Sequence, residues 1–219
     1  MRYEPLDVTV AFDGVELPGL LSVPSEASGL VVFAHGSGSS RLSPRNNAVA
    51  ARLNERGLAT LLFDLLTPDE HAVDSITAEF RFDIPLLSQR TVATLDWLPH
   101  QPRLADLPVG LFGASTGAAA ALNAAAERPE RVDAVVSRGG RPDLARENLL
   151  RVQAPTLLIV GGNDVPVIGM NEEAARHLHV PWELVIVEGA THLFEEPGAL
   201  EQVAGVARDW FLRYLSGGS

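Results

Sequence analysis

The sequence predicts an α/β fold, a mostly parallel eight-stranded sheet with helices on both faces, and three observations carry that expectation. Two segments near the start, Val8–Phe12 and Val15–Val23, alternate apolar and polar residues around Asp13-Gly14, a strong signal for a tight hairpin turn. Six later runs are short and continuously apolar, as strands covered on both faces must be, because neither side of the strand meets water. Segments of helical length fall between those runs, the alternation that winds a parallel sheet.

In chain order the apolar runs are Gly29–Ala34, Leu58–Phe63, Val109–Phe112, Ala134–Val136, Thr156–Val160 and Leu184–Val187. Pro44–Arg56 is the first intervening helix. It carries Ala48, Val49, Ala51 and Leu53, and Gly57 stands where a helix end favours a left-handed residue. Ile84–Leu98 and the alanine-rich Ser115–Glu127 follow, then a short piece at Asp143–Leu150 and another at Asn171–Leu178. Pro197–Leu215 closes the series, with Leu200, Val203, Ala204, Ala207, Phe211 and Leu215 spaced to form one buried stripe. Residues 65–83 and 138–154 are long connections. No linker or internal repeat interrupts the pattern, so residues 1–215 read as a single domain and 216–219, Ser-Gly-Gly-Ser, as a flexible tail.

The 219 residues are ample to bury a core without disulfide or metal staples. Cysteine is absent, which excludes a thiol nucleophile, a zinc-thiolate site and an iron–sulfur cluster. All 17 basic side chains are arginine, which excludes a Schiff-base lysine, a P-loop lysine and a Ser–Lys dyad. A net charge of −11 disfavours partners with phosphate backbones or anionic lipid surfaces. No apolar run approaches the roughly 18 residues needed to cross a bilayer, and the first residues lack a signal-peptide pattern. A cytoplasmic monomer or small homo-oligomer is expected, with no membrane and no nucleic acid as partner.

The central chemical signal is Gly113-Ala114-Ser115-Thr116-Gly117, set where an apolar strand gives way to a helix. A serine there is held in a strained conformation that lifts Oγ clear of the sheet, and the flanking glycines avoid collision with neighbouring backbone. The Thr116 N–H, at a helix N-terminus, is free to stabilise an oxyanion. A serine hydroxyl needs a base, and the base an orienting acid. Asp164 ends the run Thr156–Val160 in Gly161-Gly162-Asn163-Asp164, and His192 follows Leu184–Val187 in Glu188-Gly189-Ala190-Thr191-His192. Both fall at the C-terminal ends of strands, the ligand-binding edge of an open α/β sheet. Ser115 is thus the expected nucleophile, His192 its base and Asp164 the orienting acid. After Gly29–Ala34 comes His35-Gly36-Ser37-Gly38-Ser39-Ser40, whose small residues let backbone approach a substrate carbonyl. Its Ser37 N–H is the expected second oxyanion donor, with Gly36 and Gly38 as alternatives, and His35 is expected to hold the loop.

The hairpin start, His35-Gly36, the Gly113–Gly117 motif, Asp164 and His192 together resemble the α/β-hydrolase superfamily over nearly the whole chain. Phe33–Ser40, Arg81–Leu87, Ser137–Asp143 and Thr191–Glu195 resemble its small dienelactone-hydrolase-like branch. That resemblance implies a compact hydrolase without a large cap domain. Some members are fused to a phosphoribosyltransferase domain, which these residues do not contain. Dienelactone hydrolase proper carries a cysteine nucleophile where this sequence has Ser115. The expected activity is cleavage of small carboxylic esters through an acyl-enzyme, with no cofactor and no metal. A thioesterase or cofactor-free perhydrolase would use the same three residues, and a non-catalytic or engineered scaffold would keep only the fold. The pocket is expected to be shallow and partly covered by residues 65–83, with Leu66, Phe80 and Phe82 on its acyl side. Gly36 is expected to border the substrate, and Arg138 and Arg41 to stand at the mouth as carboxylate ligands.

Overall fold

Asp13 and Gly14 both adopt positive φ, 46° and 77°, and turn β1 (Leu6–Phe12) back onto β2 (Val15–Ser22) with Phe12 opposite Val15. This is the mirror-image turn whose twist matches that of the flanking strands. The computed structural model describes residues 4–215, so the expected tail at 216–219 lies outside the described residues. The hairpin adds antiparallel to the edge of a parallel set: β3 (Gly29–Ala34), β4 (Leu58–Phe63), β5 (Val109–Ala114), β6 (Ala134–Arg138), β7 (Thr156–Gly161) and β8 (Trp182–Val187). The spatial order is β1-β2-β4-β3-β5-β6-β7-β8. The order reverses at β3, flanked by β4 on one side and β5 on the other, and the carboxyl ends of the strands at such a reversal are where open α/β sheets bind ligands.

Most of the apolar runs are buried on both faces, and β3, β4, β5 and β6 each feed two cores; β8, expected to be covered likewise, is an edge strand in which Leu184, Val185 and Ile186 are only partly buried. Along β3, Leu30, Val32 and Ala34 join one cluster, while Val31 and Phe33 join the other. The second cluster lies under α1 (Pro44–Asn54) and α6 (Ala199–Leu215), with Val49, Leu53, Val203, Ala207 and Phe211 supplying its helical side. The first lies under α3 (Ile84–Trp97), α4 (Thr116–Glu127) and α5 (Val165–Ala175). Every residue of α4 from Thr116 to Ala126 is buried. Among the described residues no helix is long and apolar enough to cross a membrane.

Several expected boundaries move, each for a local reason. β5 and β6 extend beyond their apolar runs to Ala114 and Arg138, because the ladder pairing Ala114 with Arg138 continues where hydrophobicity stops. The connection 65–83 contains α2 (Pro68–Thr77). Thr67 caps it, accepting from the Glu70 N–H while the Glu70 carboxylate accepts from the Thr67 N–H. Asp74 fastens this segment down: its buried carboxylate accepts from the Phe80 and Arg81 N–H groups and from Arg81 Nε. The helix expected at Asn171–Leu178 instead runs Val165–Ala175, starting directly after Asp164 with proline in its first turn, where a missing N–H is tolerated. The piece near Asp143 is a succession of 3₁₀ turns over Pro142–Arg151, broken by Arg146 at φ 52°.

Candidate active site

Ser115 sits at φ 51°, ψ −122°, a backbone state that costs on the order of 1–3 kcal/mol for a side-chain-bearing residue. Three hydrogen bonds hold it there. Its N–H donates to the Arg138 carbonyl at 3.2 Å, and its own carbonyl accepts from the Ala118 and Arg141 N–H groups at 3.1 Å each. Close approach explains the flanking glycines. A Cβ on Gly113 would collide with the Ala118 backbone, and one on Gly117 with the carbonyl oxygens of Ala34 and His35. The turn is therefore clamped between β3, β6 and α4.

The imidazole of His192 lies between the two other groups that the sequence singled out. Its Nδ1 is 2.6 Å from Asp164 Oδ2, and its Nε2 is 3.4 Å from Ser115 Oγ. The first is a short, charge-assisted contact; the second is at the long end of hydrogen bonding. Asp164 occupies the position before α5 but makes no side-chain cap there, which leaves its carboxylate to the histidine. The loops carrying the two residues are tied together. Asn163 Nδ2 donates to the Gly189 carbonyl at 2.8 Å and the Asn163 N–H to that of Ala190 at 2.9 Å. Glu196, which the sequence reading passed over, braces the histidine loop by accepting from both the Thr191 N–H and hydroxyl. The Thr191 hydroxyl holds the Glu196 carboxyl below its ordinary range.

The loop after β3 faces this serine. A Cβ built on Gly36 would come 3.2 Å from Ser115 Cβ. Among the described residues the N–H groups of Thr116 and Ser37 donate to no acceptor, as is also true of Gly36 and Gly38. His35 anchors the loop from behind. Nδ1 contacts the Gly36 carbonyl at 2.9 Å, and Nε2 accepts from the Leu65 N–H at 3.0 Å, an arrangement that fixes a neutral ring protonated on Nδ1. Burial pushes its pKa down, which keeps it neutral.

The expected pocket residues are placed differently from one another. Arg41 does not stand free at the mouth: its N–H and guanidinium both bind the Asp64 carboxylate, stitching the exits of β3 and β4 together. Leu66 is buried in the core cluster but lines a small cavity with the loop His35–Ser39, and Phe80, partly buried, packs against that cluster. Phe82 is exposed and borders a cleft of about 830 Å³ between the start of α3, α4 and the 3₁₀ segment, together with Ile84, Ser88, Asn123, Arg141 and Leu144. Arg138 is buried beside the ring of Phe194, two positions after His192, and was expected at the surface. It pairs in the ladder with Ala114, a link invisible to an apolar-run reading of β6.

Comparison with known proteins gives the same lineage. The model of the dienelactone hydrolase family matches residues 17–215. The crystal structure of a dienelactone hydrolase from Anabaena variabilis is 58% identical, superposes with a TM-score of 0.96, and covers 98% of this chain and 100% of its own. A protein of Mycobacterium tuberculosis, provisionally named a phosphoribosyl transferase, is 55% identical over 211 residues, 96% of this chain but 47% of that protein. The chain thus spans about half the length of the curated relatives it matches. Est1E from Butyrivibrio proteoclasticus, with ferulic acid bound, shares the fold at a TM-score of 0.80 and 18% identity, over 96% of this chain and 100% of its own.

Proposed function

The chain belongs to the dienelactone hydrolase family, an α/β hydrolase lineage, and from that premise we propose that it cleaves small carboxylic esters with Ser115 as nucleophile. The observation that carries this reading is the run of contacts from Asp164 through His192 to Ser115, 2.6 Å and 3.4 Å long, ending on a serine in a strained strand-to-helix turn. Ser115 Oγ attacks the ester carbonyl while His192 Nε2 takes its proton. Asp164 holds the ring with Nδ1 protonated and stabilises the imidazolium. The tetrahedral oxyanion is met by the Thr116 N–H and by the Ser37 N–H from the facing loop. Collapse expels the alcohol, which receives the proton from His192. Water then repeats the sequence on the acyl-enzyme and frees Ser115.

The phosphoribosyl transferase name belongs to a relative more than half of whose length has no counterpart in these 219 residues, and no residue of this site calls for that chemistry. The direct test is Ser115→Ala. The variant is expected to lose both p-nitrophenyl acetate hydrolysis and covalent labelling by a fluorophosphonate while keeping its thermal transition. Retained labelling assigns the nucleophile elsewhere and sinks the reading.

A further inference from the structure

The loop that carries Ser37 is tied down at both ends but not at its tip. Gly36–Ser39 is a turn closed by the Ser39 N–H on the Gly36 carbonyl at 3.2 Å, and Gly38, at its third position, has φ 67°. Positive φ there marks a type II turn; flipping the Ser37–Gly38 peptide gives the type I form and reverses the directions of its N–H and C=O. His35 holds the loop at Gly36, and Asp64 holds it at Arg41. Between those anchors, among the described residues, neither Ser37 nor Gly38 makes a hydrogen bond.

Arg81 is what meets that tip. A Cβ on Gly38 would lie 3.4 Å from Arg81 Nη1 and 3.8 Å from its Cζ, so the guanidinium closes off the space beyond. A small cavity lies between the two segments, with Gly36, Ser37 and Gly38 on one wall and His71, Asp74 and Arg81 on the other. The guanidinium itself is fixed. Nε donates to Asp74 Oδ2 at 2.9 Å and Nη2 to the Asp74 carbonyl at 2.7 Å. Asp74 is 1% exposed, and its Oδ1 accepts from the Phe80 and Arg81 N–H groups. Two of the three nitrogens are thus engaged by Asp74, and the third, Nη1, is the one beside Gly38. A planar guanidinium held along one edge presents the other as a rigid wall, which the flexible stem and compact charge of a lysine do not.

We propose that Arg81, locked by Asp74, is a positioning residue of the oxyanion loop. Seated against Gly38, it holds the Gly36–Ser39 turn in the form that presents the Ser37 N–H to the reacting carbonyl oxygen. Gly38 serves this arrangement twice, by its positive φ and by leaving room for the guanidinium. Arg81 acts through the turn and not on the substrate. The role rests on the serine-hydrolase reading, because the oxyanion it serves is the one formed on Ser115.

Two substitutions test the contact from opposite sides. Arg81→Lys keeps a cation for buried Asp74 while removing the planar edge, and Gly38→Ala opposes positive φ and brings a methyl towards Nη1. Each is expected to lower kcat for p-nitrophenyl acetate at least about tenfold with KM changed less than about threefold. The oxyanion exists only in the transition state, and deleting a whole donor costs about 10²–10³. Fluorophosphonate labelling should slow by a similar factor, while Arg81→Lys keeps a Tm near that of the wild type. Because both substitutions disturb one turn, the double variant is expected to lose no more than about threefold beyond the worse single one. Losses that multiply, a loss taken in KM instead of kcat, or an unchanged kcat in either variant overturns the proposal. So does a fall in Arg81→Lys activity that only matches its loss of folded protein, which would make the pair a fastener of α2 and nothing more. Wild-type turnover and labelling that both variants equal refute the positioning role alone. A wild type that neither hydrolyses the ester nor takes the label removes the esterase reading, and this role with it.

Discussion

Replacing Asp164 by asparagine tests the part of the mechanism that depends most directly on the geometry of the site. The carboxylate is 2.6 Å from His192 Nδ1, with side-chain exposures of 15% for Asp164 and 39% for His192. During attack the ring becomes a cation whose charge centre lies about 4 Å from that of the carboxylate, an interaction of ~1 kcal/mol in bulk water and ~4 kcal/mol at the effective dielectric of a protein surface. The half-open histidine places the pair between those limits, which converts to a loss of about five- to a thousandfold. Tautomer choice pushes the result towards the upper end. An asparagine amide can donate to Nδ1, which moves the ring proton to Nε2 and removes the base that Ser115 needs. The assay is kcat/KM for p-nitrophenyl acetate beside the rate of fluorophosphonate labelling, with circular dichroism to check folding. Both rates should fall by the same factor. A loss smaller than about fivefold in a folded variant would refute the assignment of Asp164.

Two further substitutions probe what holds the site. In Gly117→Ala the new methyl meets the carbonyl oxygens of Ala34 and His35, so β3 and α4 must separate; the expected cost is about 2 kcal/mol, read as a Tm lowered by about 4–8 °C, with esterase activity falling in parallel. An unchanged Tm would mean the close approach does not exist in solution. His35 predicts a pH effect. Its pKa is lowered in the folded protein by burial, so below the unfolded value of about 6.5 the unfolded chain binds the extra proton and the folded one resists it. Stability should therefore drop on acidification from pH 7 to 5, and less steeply in His35→Gln, whose Oε1 can still accept from the Leu65 N–H. Parallel Tm curves for the two proteins would remove His35 as the cause.

The sheet was legible because burial on both faces leaves a plain mark: β3, β4 and β7 begin where the apolar runs begin. The three polar side chains of the site were legible because each follows such a run at the same edge. What escaped the sequence is governed by contacts that leave no local pattern. α2 is short and exposed on much of its surface, and it is secured by Asp74, a single buried carboxylate with partners six and seven residues away. Arg41 is indistinguishable from a free surface arginine until Asp64, on the neighbouring strand exit, claims it. Arg138 looked equally exposed, and only the continuation of the β5–β6 ladder shows that its strand carries it inward. Glu196 does its bracing across a turn, at no recognisable spacing.

The uninterrupted burial of α4 also decides where this scaffold can vary. The turn of small residues from Thr116 to Ala121, wedged between sheet and neighbours, lines no cavity among the described residues, so enlarging a side chain there displaces the serine before it reshapes the cleft that Asn123 borders further along the helix. Altered preference, whether through divergence or by laboratory selection, must come from the rim: the α2 segment and the 3₁₀ turns around Arg146 can lengthen, shorten or change polarity while the floor beneath them stays fixed.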